Sequence, residues 1–202
     1  MLTLQKLRFV GLAGFATVGK DLFFSTLNKE YPAVRFSLAD TLKEEVRHKI
    51  LEEQSIDILN CSKEDKEAVR PALVDYGTKK RKETQGRYFM DKLQAKINNS
   101  FTDSKIPVIT DIRYAEYEND EVSWLKNDLK GVLVYIKKYE MVAGQKIYVE
   151  APNKDEEKND PSLRKKADYV VDWETVSGDH YEKQKHLAPH IKKFIDWYSK
   201  VL

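Results

Sequence analysis

Gly14 and the pair Gly19-Lys20, with four residues between them, follow a short apolar run, Leu7-Arg8-Phe9-Val10-Gly11-Leu12, and open a stretch of helical pattern. Gly-x-x-x-x-Gly-Lys is the spacing of a phosphate-cradling loop. A cluster of anionic oxygens needs several backbone N–H groups turned inward, which asks for glycine dihedrals and no Cβ in the way. The helix that follows adds the partial positive charge of its N-terminus, and the lysine adds a full one. The candidate loop is therefore Gly14, Phe15, Ala16, Thr17, Val18, Gly19 and Lys20, with Asp21 where Ser or Thr is usual. A hydroxyl at that position would ligate Mg²⁺ directly, whereas a carboxylate beside phosphates needs a cation in between. Asp21 is thus either a holder of Mg²⁺ or its waters, or an ordinary first-turn acid on the helix dipole.

Short apolar runs alternate with amphipathic segments along the rest of the chain. Ala33–Ser37, Ile106–Thr110, Gly131–Ile136 and Tyr169–Val171 read as strands beside the run before the loop. Phe23 with Leu27, Leu42 with Val46 and Ile50, Phe89 to Ile97, and Leu187 to Val201 carry helical spacing. Ser62 and Asp65 resemble a capping pair, Pro71 should start or kink a helix, and Gly77 should interrupt one. The alternation predicts an α/β fold, a doubly wound parallel sheet of about five strands with helices on both faces. One domain over residues 1–202 is expected, with an insert at about 139–167. That insert, Tyr139–Ala167, is polar, contains Asp155-Glu156-Glu157-Lys158-Asn159-Asp160 and shows no sustained period, so it is expected to be a lid or partly disordered.

Composition removes several function classes. The 202 residues carry 35 Lys and Arg against 33 Asp and Glu, a net charge of +2, which gives no field to steer nucleic acid or an acidic membrane. A single cysteine, Cys61, cannot form an intramolecular disulfide, and no apolar run approaches the roughly 18 residues of a membrane span. A soluble, cytoplasmic protein is expected. The four histidines lack metal-ligand company.

A second candidate site is Thr110-Asp111-Ile112-Arg113, directly after a strand, where ligands gather in open α/β sheets. Asp111 could hold Mg²⁺ or its waters, or accept a proton from an attacking group, and Arg113 could fork onto a phosphate. The same two residues could instead form an ion pair or a cap. Lys79-Lys80-Arg81-Lys82 reads as a solvated helix face, with Arg87, after Gly86 and before Tyr88-Phe89, as the exception.

Taken in order, Gly14-x-x-x-x-Gly19-Lys20-Asp21, Ser37-Leu38-Ala39-Asp40-x-Leu42-Lys43, Arg70 with Tyr76-Gly77-Thr78, Gly86-Arg87 and Asp111-Ile112-Arg113 resemble the bacteriophage-type deoxynucleoside monophosphate kinases, which carry Gly-Lys-Asp in the loop. The resemblance runs from about Leu7 to Asp172. It implies transfer of the γ-phosphate of ATP, with Mg²⁺, to a deoxynucleoside 5′-monophosphate. By position, residues 14–21 would hold the ATP phosphates, and Asp21 and Asp111 would serve the metal. Asp40 and Lys43 would border the acceptor, and Arg70, Arg87 and Arg113 would grip its phosphate or the transferring group. Its partners would be small nucleotides, with no nucleic acid and no membrane; a homodimer is among the assemblies it allows, and the location would be the host cytoplasm if the source is viral.

The chain departs from the family in three places. The lid element His-x-Ser/Thr-Glu is replaced by Glu156-Glu157-Lys158-Asn159, the acid expected four residues after Arg113 is displaced to Glu116 or Glu118, and an Arg-Pro is replaced by Lys137-Lys138. Two other readings stay open: a kinase of another phosphorylated acceptor, since animal-type phosphomevalonate kinases look similar around Gly-Lys-Asp, and a regulator that binds ATP only as a switch.

Overall fold

The computed structural model describes residues 7–100 and 104–202. The chain falls into two compact units, Met1–Phe36 with Phe101–Leu202, and Ser37–Ser100.

The first unit is built on a sheet whose strands are β1 (Val10–Ala13), β2 (Ala33–Phe36), β3 (Ile106–Ile109), β4 (Val132–Val142), β5 (Gln145–Tyr148) and β6 (Tyr169–Glu174). The order is β2-β3-β1-β4, with β5 and β6 both paired to β4. β1, β2, β3, β4 and β6 run parallel, and β5 is antiparallel. Every residue of β1 and β3 is buried, as strands covered on both faces require. On one face Val10, Leu12, Val108 and Val134 pack with Phe23 and Leu27 of α1 (Lys20–Glu30) and with Leu187, Ile191 and Phe194 of α7 (His180–Val201). On the other, Gly11 faces Leu125 and Ile112 so closely that a Cβ would stand 2.3 Å from a Leu125 methyl. Leu125 lies in a π-helical turn, Trp124–Asp128, that continues the single-turn α5 (Glu121–Ser123). The five parallel strands and two helical faces are those the alternation predicts.

The antiparallel strand β5 and its surroundings are not. Most of residues 139–167 lies in strand or helix. β4 continues to Val142, turns through Ala143 and Gly144 with φ of 49° and 81°, and returns as β5, after which α6 spans Lys154–Lys166. The β5 residues are all exposed, and α6 buries only Asn159, Asp160 and Leu163, so neither element needs an apolar period. What holds α6 is terminal chemistry. The Asn153 side chain caps it, Asp155, Glu156 and Glu157 occupy its first turn, and Arg164, Lys165 and Lys166 its last.

β5 has a defined place. The Lys138 carbonyl accepts from Val149 N–H, and the Tyr139 carbonyl from Thr175 N–H. Successive carbonyls of a strand point to opposite edges. The hairpin therefore lies along the edge of β4 that β1 occupies lower down, beyond the point where β1 gives way to residues 14–19.

The second unit consists of α2 (Leu38–Gln54), α3 (Lys63–Glu83) and α4 (Arg87–Ser100). Ser37 belongs to no strand; its hydroxyl accepts from Asp40 N–H at 3.1 Å and caps α2. The Ser62–Asp65 pair forms a full capping box for α3. Against expectation, α3 passes through both Pro71 and Gly77 without ending. Pro71 forfeits one backbone bond on an exposed face, while Val69 beside it packs with Val46, Ile50 and Ile58. Gly77 lets α3 approach α2, since a Cβ there would stand 2.9 Å from a Leu42 methyl. Glu45 joins the helices by accepting from Tyr76, Tyr88 and Lys92. Among the described residues, no helix is long and apolar enough to cross a membrane.

Candidate active site

The loop between β1 and α1 takes three residues into left-handed backbone: Gly14 (φ 126°), Thr17 (φ 68°) and Gly19 (φ 101°). Both glycines are required sterically as well. A Cβ on Gly14 would meet the Ile136 carbonyl oxygen at 2.2 Å, and one on Gly19 would meet the Trp173 ring at 2.8 Å. Four loop carbonyls are held from outside the loop backbone. The Lys20 ammonium donates to the oxygens of Gly14 and Phe15 at 2.6 and 2.8 Å. Lys138 of β4 donates to Thr17 O at 2.6 Å, and the Trp173 indole of β6 to Val18 O at 2.8 Å. Each carbonyl shares a rigid plane with the following N–H, which points the opposite way, so fixing one fixes the other. The loop is a set of oriented amides at the head of a helix.

Gly14, Phe15, Ala16 and Lys20 line a pocket together with Arg113, Glu156, Asp160 and Leu163. Burial, and then the charge of Arg113, bring the Lys20 pKa down to about 8, against the opposing pull of Glu156, Asp111 and Asp21. Arg113 is exposed, and its place is set through its backbone. The buried Glu121 carboxylate accepts the N–H groups of Arg113 at 2.6 Å and Tyr114 at 3.1 Å. Asp120, also buried, does the same for Glu116 and Tyr117. Asp111 is buried at the carboxyl end of β3, within electrostatic reach of Lys20.

α6 supplies the acidic wall. Ala16 N–H donates to Glu156 Oε2 at 2.7 Å. Asp160 accepts from Tyr135 of β4 and, at 2.9 Å, from Arg164. Tyr135 pairs in register with Ala13, the last residue before the loop, so this bond ties α6 to the sheet beside the glycine turn. Burial, reinforced by Asp160, pushes the Tyr135 hydroxyl up to about 12 and keeps it a donor.

The structure thus brings together residues 14–20 with Arg113, and sets Asp111 near Lys20. Asp21 also acts on Lys20, but its carboxylate is 88% exposed and lies 3.9 Å from Arg35 Nε. Asp40, Lys43, Arg70 and Arg87 all belong to the second unit. There Asp40 and Lys43 pair at 3.8 Å on α2, Arg70 pairs with Glu67 at 2.6 Å on α3, and Arg87 with Asp91 at 2.8 Å on α4. Sequence reasoning missed Glu156, Asp160, Tyr135, Glu121, Lys138 and Trp173 as parts of the site. Only Glu156 and Lys138 left a trace, as departures from the family pattern.

Among the described residues no cluster of three or more His, Cys, Asp or Glu could hold a metal by itself. Mg²⁺ fits this donor set as an ion that shares phosphate oxygens, since it takes one or two carboxylates and keeps its other ligands from substrate and water. Asp111 and Asp21 would be those carboxylates.

No family model and no curated protein sequence matches this chain. Among solved structures, a dephospho-CoA kinase from Campylobacter jejuni is similar at 15% identity and a TM-score of 0.46, over 92% of this chain and 96% of that one. At that identity and score it says nothing about what this chain acts on.

Proposed function

We propose that the protein is an ATP-dependent phosphotransferase acting on a small phosphorylated acceptor, a deoxynucleoside 5′-monophosphate by the motif order described above. One observation carries this reading. Left-handed Gly14 and Gly19 shape a turn of oriented amides at the head of α1, and Lys20 and Arg113 face the same pocket. Mere binding of a nucleotide needs fewer cations, and this arrangement favours transfer over a switch.

Phosphoryl transfer asks the protein to position two anions, neutralise developing charge and keep water out. Residues 14–20 would hold the donor's β- and γ-phosphates through backbone amides, with Lys20 moving from the loop carbonyls to a phosphate oxygen. Arg113, on a loop fixed by Glu121, would meet the charge that develops on the transferring group. Asp111 and Asp21 would hold Mg²⁺ or its waters, and the ion would neutralise phosphate charge. Asp40 and Lys43 would border the acceptor, while Arg70 and Arg87 would leave their carboxylate partners for its phosphate. α6 and the β4–β5 hairpin would close the site against water.

A coupled ADP-release assay with ATP and Mg²⁺ tests this across deoxynucleoside monophosphates, ribonucleoside monophosphates and phosphorylated alcohols such as phosphomevalonate. ADP release that depends on a deoxynucleoside monophosphate is expected. Release dependent only on a phosphorylated alcohol moves the chain to the other acceptor class, and ATP binding without acceptor-dependent release makes it a switch.

A further inference from the structure

The amide that a phosphate oxygen would use is already engaged by the chain itself. Ala16 N–H, inside the glycine loop, donates to Glu156 Oε2 at 2.7 Å. A carboxylate and a phosphate offer the same thing to a backbone N–H, an anionic oxygen that accepts a charge-assisted bond. Glu156 is held ready for this role. Its other oxygen, Oε1, accepts from Asn153 Nδ2 at 3.3 Å, and its own N–H donates to Asn153 Oδ1 at 2.9 Å in the cap of α6. Further along the helix, Asp160 is bound to Tyr135 and Arg164, and Lys158 to Glu116 at 2.8 Å, so the turn bearing Glu156 is anchored from behind. The carboxylate lines the same pocket as Lys20 and Arg113 and acts electrostatically on Lys20.

Resting on the phosphate-loop reading, we infer that Glu156 is a resident competitor for the phosphate seat. Its carboxylate satisfies the Ala16 amide until the polyphosphate of a nucleotide takes that amide, and the nucleotide's affinity is set by this exchange. The exchange makes binding weaker than the bare loop would allow. It also couples occupation of the loop to release of the first turn of α6, the element next to the donor phosphates. A simple structural pin is the competing account, and it makes a different forecast. A glutamine can still accept from Ala16 through its amide oxygen, so a pin survives Glu156→Gln and is lost in Glu156→Ala. A competitor is weakened by both.

Titration calorimetry with two probes, ATP and inorganic tripolyphosphate, separates the accounts on full-length protein whose thermal melt confirms folding. E156Q and E156A should each tighten tripolyphosphate and ATP by about tenfold, the scale of one charge-assisted bond. E157Q removes the same charge from the next residue, which is exposed, and should stay within about twofold of the parent. An unchanged Kd in E156Q with a weaker one in E156A would establish the pin and overturn the competitor, as would equal tightening in E157Q. K20A keeps the underlying reading separately accountable. If K20A loses tripolyphosphate binding while E156Q matches the parent, the loop reading stands and the competitor fails. If K20A binds as the parent does, or the parent binds neither probe, the loop reading fails and the competitor with it.

Discussion

The cations of the two units are held in opposite ways. In the first, Lys20 is drawn into the glycine loop, bonded to two backbone carbonyls and stripped of enough water to bring its pKa down to about 8. In the second, Arg70 and Arg87 are paired with carboxylates one turn away on their own helices, and their partners are more than half exposed. The first arrangement is built by the fold, because the loop's dihedrals, the β4 and β6 contacts and the head of α1 leave the lysine one place to go. The second is a property of helix surfaces, where such a pair contributes little to stability. On the proposed reading this difference sets a preformed donor seat against an adjustable set of acceptor cations, and each half can be broken separately.

The largest effects belong to the built half. Lys20→Ala should lower turnover by about 10²-fold or more, as loss of one transition-state donor does, with a melting temperature close to the parent's. Near-parental ADP release in the folded variant removes Lys20 from the chemistry. Arg113→Ala should cost about tenfold or more in kcat while leaving the melt unchanged, because its loop is fixed through backbone N–H groups by Glu121 and not through the guanidinium. A melt that falls in step with activity makes Arg113 a structural ion-pair partner instead.

Glycine substitutions sharpen the contrast between a built turn and a free one. Gly14→Ala combines φ of 126° with a Cβ 2.2 Å from a carbonyl oxygen of β4, whose backbone cannot step aside. It should cost about 2–4 kcal/mol by denaturant unfolding. Gly144 also has positive φ, 81°, but a Cβ there meets nothing within 4 Å, so Gly144→Ala should cost only about 1 kcal/mol. Equal costs would mean that backbone conformation alone, and not the press of β4, fixes the glycine turn.

How much of this could be read from the sequence follows the same division. The β1-loop-α1 unit was legible because glycine at two positions and lysine at a third are demanded by geometry that few other residues satisfy. The parallel strands were legible because burial on both faces forces unbroken apolar runs such as Ile106–Ile109. β5 and α6 were not, since elements that bury little leave no periodic record, and Pro161 inside α6 argues locally against a helix. The missing half of the site sits on those elements and their neighbours. Glu156, Asp160 and Tyr135 act through side-chain contacts across wide sequence separation, which no local spacing encodes. Lys138 and Trp173 steady the loop by reaching its carbonyls, a task any donor of the right length could perform.

A pH series probes the built seat at moderate size. A lysine whose pKa is lowered to about 8 keeps its charge below that pH and loses it as pH rises through it. A bound polyphosphate favours the charged form, so binding takes up a proton above about pH 8. The Kd for ATP should therefore be level below pH 8 and rise by up to about tenfold per pH unit above it. Lys20→Arg keeps its charge throughout and should flatten that limb, whatever its affinity at pH 7. A limb that persists in Lys20→Arg belongs to another group.

The smallest effect is the one that makes the adjustable half interpretable. Pairs at i,i+3 and i,i+4 on helix surfaces contribute about 0.3–0.5 kcal/mol, so loss of either pair, in Arg70→Ala or Arg87→Ala, should by itself shift the melt by no more than about a degree or two. The same variants should raise KM for the acceptor severalfold and leave KM for ATP alone, because the proposed reading gives both residues to the acceptor's phosphate. If acceptor KM is unmoved by both substitutions, Arg70 and Arg87 are helix-surface charges and nothing more. The acceptor's phosphate must then be held by other cations, and the comparison between a built donor seat and an adjustable acceptor set collapses to its first half.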